Sequence, residues 1–202
     1  MSMKGWLKGV AYCVAAIGLA NGTPADAHEI RQVVYHGSSG GSADRHADRK
    51  QHAGELVRIV RDATRRFRDV DVAIAEGYQL MFGCVSGPDD GAMGLHYVNL
   101  DLVADPALDP SRPEIVIYEP LPNGGRRLVG ADFLVFADAW DAANTDTPQL
   151  KGQLLHLIAA PNRYGLPAFY TLHVWAWKPN ASGAFVNWHP DVSCEAFDGT
   201  EQ

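Results

Sequence analysis

The apolar pattern of this chain changes its character after Cys84, and that change constrains the fold more than any other feature. Before it, apolar residues recur every three or four positions, which predicts one stripe on an amphipathic helix: Leu56, Ile59, Val60, Ala63, Phe67 and Val70. A second short helix is predicted at 70–78, ending near Gly77. Beyond Cys84, turn formers separate β-rich segments at 114–118, 128–136, 169–177 and 185–188. Helices followed by strands predict an α+β fold, with N-terminal amphipathic helices packed on a curved, mainly antiparallel β-sheet.

The first 27 residues have the pattern of a cleavable secretory signal peptide. Lys4 and Lys8 precede an apolar run at 10–20, and the small residues Ala25 and Ala27 follow it. A membrane-spanning helix needs roughly 20 apolar residues, so this run is too short for a stable membrane anchor. We therefore expect an exported protein, periplasmic or secreted, with residues 1–27 removed.

The rest of the chain divides into two predicted regions. Residues 28–54 are rich in His, Gly and Ser and have little apolar periodicity, which is typical of a flexible arm. Residues 55–202 have the length and apolar content of a single globular α+β domain. With 17 basic and 24 acidic residues the net charge is -7, which argues against binding to nucleic acid or anionic lipid. The sequence leaves the oligomeric state open.

Two cysteines, Cys84 and Cys194, lie outside the predicted signal. In a protein exported to an oxidising compartment, such a pair favours a disulfide bond. The bond is expected to tie the end of the chain to the middle of the domain. A reactive thiol and a metal-binding thiolate are the alternatives.

His173 lies in the most aromatic of the predicted strands. Because side chains alternate along a strand, it shares a face with four others: Phe169, Thr171, Trp175 and Trp177. An imidazole among aromatic rings predicts a metal ligand or an acid–base group in an aromatic pocket. The alternative is a core histidine that is hydrogen-bonded to a neighbour.

Two carboxylates break apolar rows on neighbouring predicted strands. Glu119 ends one row and Asp132 interrupts another, so each needs a partner to offset the cost of burial. His96 adds a second imidazole after a glycine-rich loop. If the sheet brings these groups together, His96, Glu119, Asp132 and His173 form a site for a divalent transition metal such as zinc, iron or manganese. Their spacing matches no short-range ligand motif, so a structural network of ion pairs and hydrogen bonds is the alternative.

Three functions are compatible with these features. The first is a binding protein with a small-molecule or metal pocket on the sheet face, lined by Tyr97, Asn99, Phe169, Trp175 and Trp177. The second is a metal-dependent enzyme that uses the His/carboxylate site. The third is a structural or interaction module whose aromatic face is simply core. The single G-x-S-x-G match, at 37–41, lies in the predicted flexible arm rather than on a turn between a strand and a helix, so hydrolysis by a catalytic triad is not expected, and the sequence leaves open whether the protein is an enzyme.

Three motifs give the chain a resemblance to a known family. They are GAMGLHYVN at 91–99, PEIVIYEP at 113–120, and LHVWAWK at 172–178 leading to NWHPDVSC at 187–194. Together they resemble a family of exported bacterial proteins that has no assigned activity, over roughly residues 69–194. The resemblance implies export and the domain boundaries, but no reaction, cofactor or substrate. His189 departs from the asparagine-proline type of turn expected in that family, which argues against a general ligand role for this residue.

Overall fold

The structure is built on an antiparallel β-sheet, as the β-rich segments of the sequence predict. The computed structural model describes residues 41–87 and 89–199, with side chains from Lys50 onward, and these residues belong to one compact unit. The strands in chain order are β1 (Tyr78–Ser86), β2 (Ala92–Asn99), β3 (Ile115–Pro120), β4 (Arg126–Phe136), β5 (Gln149–Leu150), β6 (Gln153–Leu154), β7 (His156–Ile158) and β8 (Phe169–Val174). Six of them form the main sheet in the order β1-β2-β3-β4-β8-β7, and β5 pairs with β6.

The described helices are few and lie mostly before the sheet. They are α1 (Gly41–Thr64), a 3-10 helix at Arg65–Arg68, α2 (Val70–Ala75), α3 (Leu100–Val103) and α4 (Ala137–Asp141). The mixed α+β class with an antiparallel sheet is therefore confirmed. None of these helices combines the length and the apolar character that crossing a membrane requires.

The two faces of the main sheet are buried by different parts of the chain. On one face, Leu56 and Val60 of α1 belong to the same apolar cluster as Phe133 of β4. On the other face, a second cluster includes Leu166 from the segment before β8 and Val192 from the C-terminal segment. Because successive side chains of a strand point to opposite faces, β4 and β8 contribute to both clusters.

The N-terminal helices follow the predicted stripe but begin earlier than expected. Leu56 and Val60 are fully buried, in agreement with the stripe. However, α1 starts at Gly41, so residues 41–54, assigned above to a flexible arm, are helical. The predicted signal at 1–27 and residues 28–40 of the arm lie outside the described residues. The second helix ends at Ala75, just before Gly77, whose φ of 94° is accessible to glycine.

The strands differ from the prediction at three places. Neither β1 nor β2 was predicted: β2 is buried on both faces from Ala92 to Val98, so it lacks alternation, and β1 has an irregular register between Met81 and Cys84. The strand predicted at 185–188 is absent, and a single bridge between Ala92 and His189 links that region to the sheet. The strand predicted at 169–177 ends three residues early, at Val174.

Two local predictions are confirmed. The Asn123-Gly124 turn joins β3 to β4, where the Gly124 amide donates to the Leu121 carbonyl at 2.9 Å and the Leu121 amide donates to the Gly125 carbonyl at 2.8 Å. Cys84 and Cys194 form a disulfide bond across a sequence separation of 110 residues. This bond ties the C-terminal segment to strand β1.

Candidate metal centre

Three side chains of the types that bind metals converge on the sheet face opposite α1. His96 lies on β2, Asp132 on β4 and His173 on β8. Asp132 stands directly opposite His173 in the strand register and opposite Ile115 on its other side. His96 stands opposite Ile117, two residues along β3 from Ile115. Since residues that face one another across strands share a face of the sheet, all three polar side chains lie on that face.

The three side chains are close together and buried. Their candidate ligand atoms all lie within 4.8 Å of one another. The rings of His96 and His173 are 5.8 Å apart between centroids, and Nδ1 of His173 is 3.5 Å from Oδ1 of Asp132. The exposed fractions are 6% for His96 and 3% for both Asp132 and His173. Two donors on one ion with bonds of about 2.1 Å lie at most about 4.2 Å apart, so ion binding requires side-chain movements on the order of 1 Å.

Hydrogen bonds orient two of these side chains. Nδ1 of His96 is 3.1 Å from the Gly94 carbonyl, to which it donates in the tautomer that leaves Nε2 with its lone pair. The Thr171 hydroxyl donates to Oδ1 of Asp132 at 2.6 Å. A metal-binding imidazole usually donates its other ring nitrogen to a carbonyl or a carboxylate, and ligating carboxylates are themselves hydrogen-bonded. His96 and Asp132 therefore have the support that metal ligands require.

His173 differs from the other two because neither of its ring nitrogens has a hydrogen-bond partner within the described residues. Leaving a buried polar group unsatisfied costs roughly 1–3 kcal/mol, so such groups in folded proteins call for an explanation. Both nitrogens belong to a side chain at the centre of the cluster, beside Asp132 and His96. A bound ion would satisfy one of them directly.

Burial sets the charge state of the cluster. Desolvation, together with a smaller effect of a neighbouring histidine in each case, lowers the pKa of His96 to about 4 and that of His173 to about 3. Both imidazoles are therefore neutral at pH 7, which is the form that binds metals, and the contact between His173 and Asp132 is not an ion pair. Desolvation raises the pKa of Asp132 to about 6, against the hydrogen bond from Thr171, so this carboxyl group is ionised at pH 7.

A small cavity adjoins the cluster. His96, His173 and Thr171 line it together with apolar side chains: Met93, Ile115, Leu134, Ile158, Leu166 and Phe169. Its volume is about 40 Å³, and Phe82, Tyr164 and Asn187 complete its wall. Phe82 is 43% exposed and its ring lies 5.7 Å from that of Tyr164, so this aromatic pair stands between the cavity and solvent.

Glu119, the fourth predicted ligand, is not part of the cluster. Its carboxylate accepts hydrogen bonds from Lys178 at 2.9 Å and from Nε of Arg127 at 3.2 Å. These two cations lower the pKa of Glu119 although desolvation acts in the opposite direction. The carboxylate is thus held in an ion-pair network near the C-terminal segment, and the candidate metal site has one carboxylate rather than two.

Of the five residues predicted to line a ligand pocket, the structure brings only Phe169 to the cavity. Trp175 packs beside His173, at 6.2 Å between ring centroids, but donates its Nε1 hydrogen to the Val186 carbonyl. Tyr97 belongs to a cluster with Tyr118 and other residues on the opposite side of the sheet.

Asn99 and Trp177 also lie away from the cavity. The Asn99 side chain caps α3 by accepting from the amides of Asp101 and Leu102. Trp177 follows the end of β8, and its Nε1 donates to the Thr64 hydroxyl at the end of α1. Strand parity no longer applies at Trp177, because the backbone turns after Val174.

The imidazole of His189 has a structural role. Its Nδ1 accepts from the Asp191 amide at 3.0 Å, so Nε2 carries the hydrogen and donates to the Pro179 carbonyl at 3.1 Å. Both ring nitrogens hold a turn of the C-terminal segment. This agrees with the expectation that His189 is not a metal ligand.

Sequence reasoning missed most of the cavity wall. Strand alternation could have predicted Leu134, because this residue follows Asp132 by two positions on the same strand. Asn187 and Tyr164 lie on irregular segments, and Phe82 lies in the irregular part of β1, so periodicity gave no signal for them. Comparison with known proteins supplies no further assignment, since no family model, curated protein or solved structure matches this chain.

Proposed function

We propose that this chain is an exported protein that binds one divalent transition-metal ion through His96, Asp132 and His173. The observation that carries the proposal is the convergence of two neutral imidazoles and one carboxylate, all buried, with their ligand atoms within 4.8 Å of one another. Two nitrogen donors and one oxygen donor suit zinc, iron or manganese. Magnesium and calcium prefer sites made only of oxygen donors, so the donor set argues against them.

The electrostatics of the cluster support the proposal. With neutral histidines and an ionised Asp132, the three side chains carry one negative charge inside an apolar surrounding. An isolated buried carboxylate is unfavourable, and a divalent cation in contact with it offsets that cost. One of the two unpartnered ring nitrogens of His173 gains a partner at the same time.

Metal content of the purified protein tests the proposal. We expect about one equivalent of a transition metal per chain in the wild-type protein, and its loss in His96→Ala and His173→Ala. His156→Ala is the matched control, since His156 is an exposed histidine on the adjacent strand β7 and lies outside the group of three. Metal retained in His173→Ala, or absent from the folded, disulfide-bonded wild type after incubation with zinc, iron or manganese, would refute the metal site.

The exported location is part of the proposal. The disulfide bond between Cys84 and Cys194 supports it, because such bonds persist in oxidising compartments. The signal-like pattern at 1–27 and the resemblance to exported proteins support it as well. N-terminal sequencing of the protein recovered from a periplasmic fraction is expected to start at or near His28. A chain found in the cytosol with Met1 intact would contradict export.

A further inference from the structure

The cavity beside the three candidate ligands sets a size limit on whatever reaches them. Its volume is about 40 Å³, and a cavity needs roughly 10–15 Å³ to hold one water molecule. The space therefore suits a molecule of two or three non-hydrogen atoms. Most of the wall is apolar; Leu134 and Phe169 are nearly fully buried, whereas Phe82 at the outer side of the wall is 43% exposed.

Three protein ligands leave coordination positions of an ion unfilled. Structural zinc sites use four protein ligands, whereas sites with three ligands hold water or substrate in the remaining position. His96 and His173 line the cavity, so an ion bound between them borders the same space. A molecule in the cavity is then within reach of the ion.

One buried polar atom in the wall of the cavity forms no hydrogen bond with the described residues. Oδ1 of Asn187 is buried and has no hydrogen-bond partner within the described residues, and Asn187 lines the cavity. The Thr171 hydroxyl, also in the wall, gives its hydrogen to Asp132. A ligand that donates an N–H or O–H hydrogen satisfies the Asn187 oxygen, which otherwise carries the cost of an unpaired buried acceptor.

We propose that the cavity takes a ligand of two or three non-hydrogen atoms that carries an N–H or O–H group, with one atom on the open position of the ion and a hydrogen directed at Oδ1 of Asn187. Hydrogen peroxide and hydroxylamine represent this chemical class. The inference rests on the proposed metal site and specifies the ligand of that site. We expect larger donors such as imidazole to be kept out by the small volume of the cavity.

Visible absorption of the cobalt(II)-substituted protein tests the proposal. The probes are hydroxylamine, which has hydrogens to donate; azide, which is of similar size and has none at pH 7.5; and imidazole, which is larger. We expect hydroxylamine and azide to change the cobalt spectrum with saturation and imidazole to leave it unchanged. Asn187→Leu is expected to weaken hydroxylamine binding about fivefold and to change azide binding by less than about twofold, because only hydroxylamine loses a hydrogen bond.

A pair of leucine variants controls for the location of the ligand. Leu166→Trp fills the cavity and is expected to abolish both spectral changes while cobalt stays bound. Leu157→Trp makes the same change at an exposed position of β7 and is expected to bind both probes as the wild type does.

The outcomes separate the two proposals. Absence of bound cobalt would overturn the metal site and this inference together. If cobalt is bound but its spectrum does not change with hydroxylamine, or changes as much with imidazole, this inference alone is overturned. Equal weakening of hydroxylamine and azide in Asn187→Leu would remove the N–H or O–H requirement.

Discussion

The surroundings of His173 give the strongest indication that the site binds a ligand atom or ion. It is 3% exposed, neutral at pH 7 because burial holds its pKa low, and has no hydrogen-bond partner within the described residues. A core histidine with a purely structural role resembles His189, whose two ring nitrogens each have a partner. The contrast between these two buried imidazoles in one domain favours a ligand role for His173.

Thr171 is predicted to tune metal affinity without binding the metal. Its hydroxyl donates to Oδ1 of Asp132, so Thr171→Val removes the hydrogen bond that orients this carboxylate while nearly preserving shape. Loss of such an outer contact typically weakens metal affinity by about 10–100-fold. Metal titration is expected to show a weakening of about tenfold in Thr171→Val and none in Thr147→Val, an exposed control. Unchanged affinity in Thr171→Val would contradict the role of Asp132.

Glu114, a buried carboxyl group that is not one of the three candidate metal ligands, gives a pH-dependent prediction. It is 1% exposed, accepts a hydrogen bond from the Leu134 amide at 3.1 Å, and burial raises its pKa from 4.5 to about 8. Between pH 4.5 and 8 the unfolded chain loses this proton while the folded chain keeps it, so Glu114 lowers stability as pH rises through this window.

Glu114→Gln is expected to remove that dependence. The amide oxygen of glutamine still accepts from Leu134, and the side chain no longer titrates. Denaturant unfolding is expected to show the variant gaining stability over the wild type as pH rises from 4.5 to 8, by on the order of a few kcal/mol at the upper end. Parallel stability profiles for the two proteins across this range would show that Glu114 ionises normally in the fold.

At the scale of elements, strand alternation predicted much of the site. It placed Thr171 and His173 on one face of β8, and the register of β4 brings Asp132 beside them. It failed where strands are buried on both faces, as in β2, since a continuous apolar run has no period of two. For this reason Tyr97 was predicted to line the pocket, although it is the strand neighbour of His96 and points to the opposite face.

Glu119 shows a second limit of sequence patterns. It lies on β3, and alternation alone places it on the same side as Ile115 and Ile117. Its actual partners, Lys178 and Arg127, come from a segment after β8 and from β4. Which cation or metal satisfies a carboxylate depends on contacts between distant segments, and one sequence does not contain that information.

Gly94 is predicted to be essential for the position of β2 against β3. Its φ is 100°, and an added Cβ atom would lie 2.5 Å from the Tyr118 carbonyl oxygen, a backbone atom. Gly94→Ala is therefore expected to lower the free energy of unfolding by about 3 kcal/mol or more, from strain and overlap together. It also displaces the carbonyl group that orients His96.

Gly124→Ala is the matched control for this prediction. Gly124 has a φ of 78° but nothing within 4 Å of an added Cβ atom, so the substitution adds backbone strain without overlap. Thermal or denaturant unfolding is expected to show a loss of about 1 kcal/mol for Gly124→Ala. Equal losses in the two variants would mean that β2 and β3 do not approach as closely as described.

At the scale of the whole molecule, the disulfide bond connects two walls of the cavity. Cys84 lies two residues after Phe82 on β1, and Cys194 belongs to the C-terminal segment that carries Asn187. The bond closes a loop of about 110 residues, which constrains the unfolded chain strongly. It therefore contributes to stability and holds together the two walls of the cavity beside the candidate metal centre.

The double variant Cys84→Ser with Cys194→Ser tests this contribution. Denaturant unfolding is expected to show a loss of about 2–4 kcal/mol, the typical range for disulfide bonds. The wild-type protein treated with reductant under native conditions is expected to lose the same amount. A double variant as stable as the oxidised wild type would show that noncovalent contacts alone hold the C-terminal segment.

The most direct test of the central claim is a crystal structure of the protein soaked with zinc, with anomalous diffraction recorded on both sides of the zinc absorption edge. The account predicts one strong, fully buried anomalous peak within bonding distance of His96, Asp132 and His173. A peak at another group of residues, or ordered density for these three side chains without an anomalous peak, would contradict it.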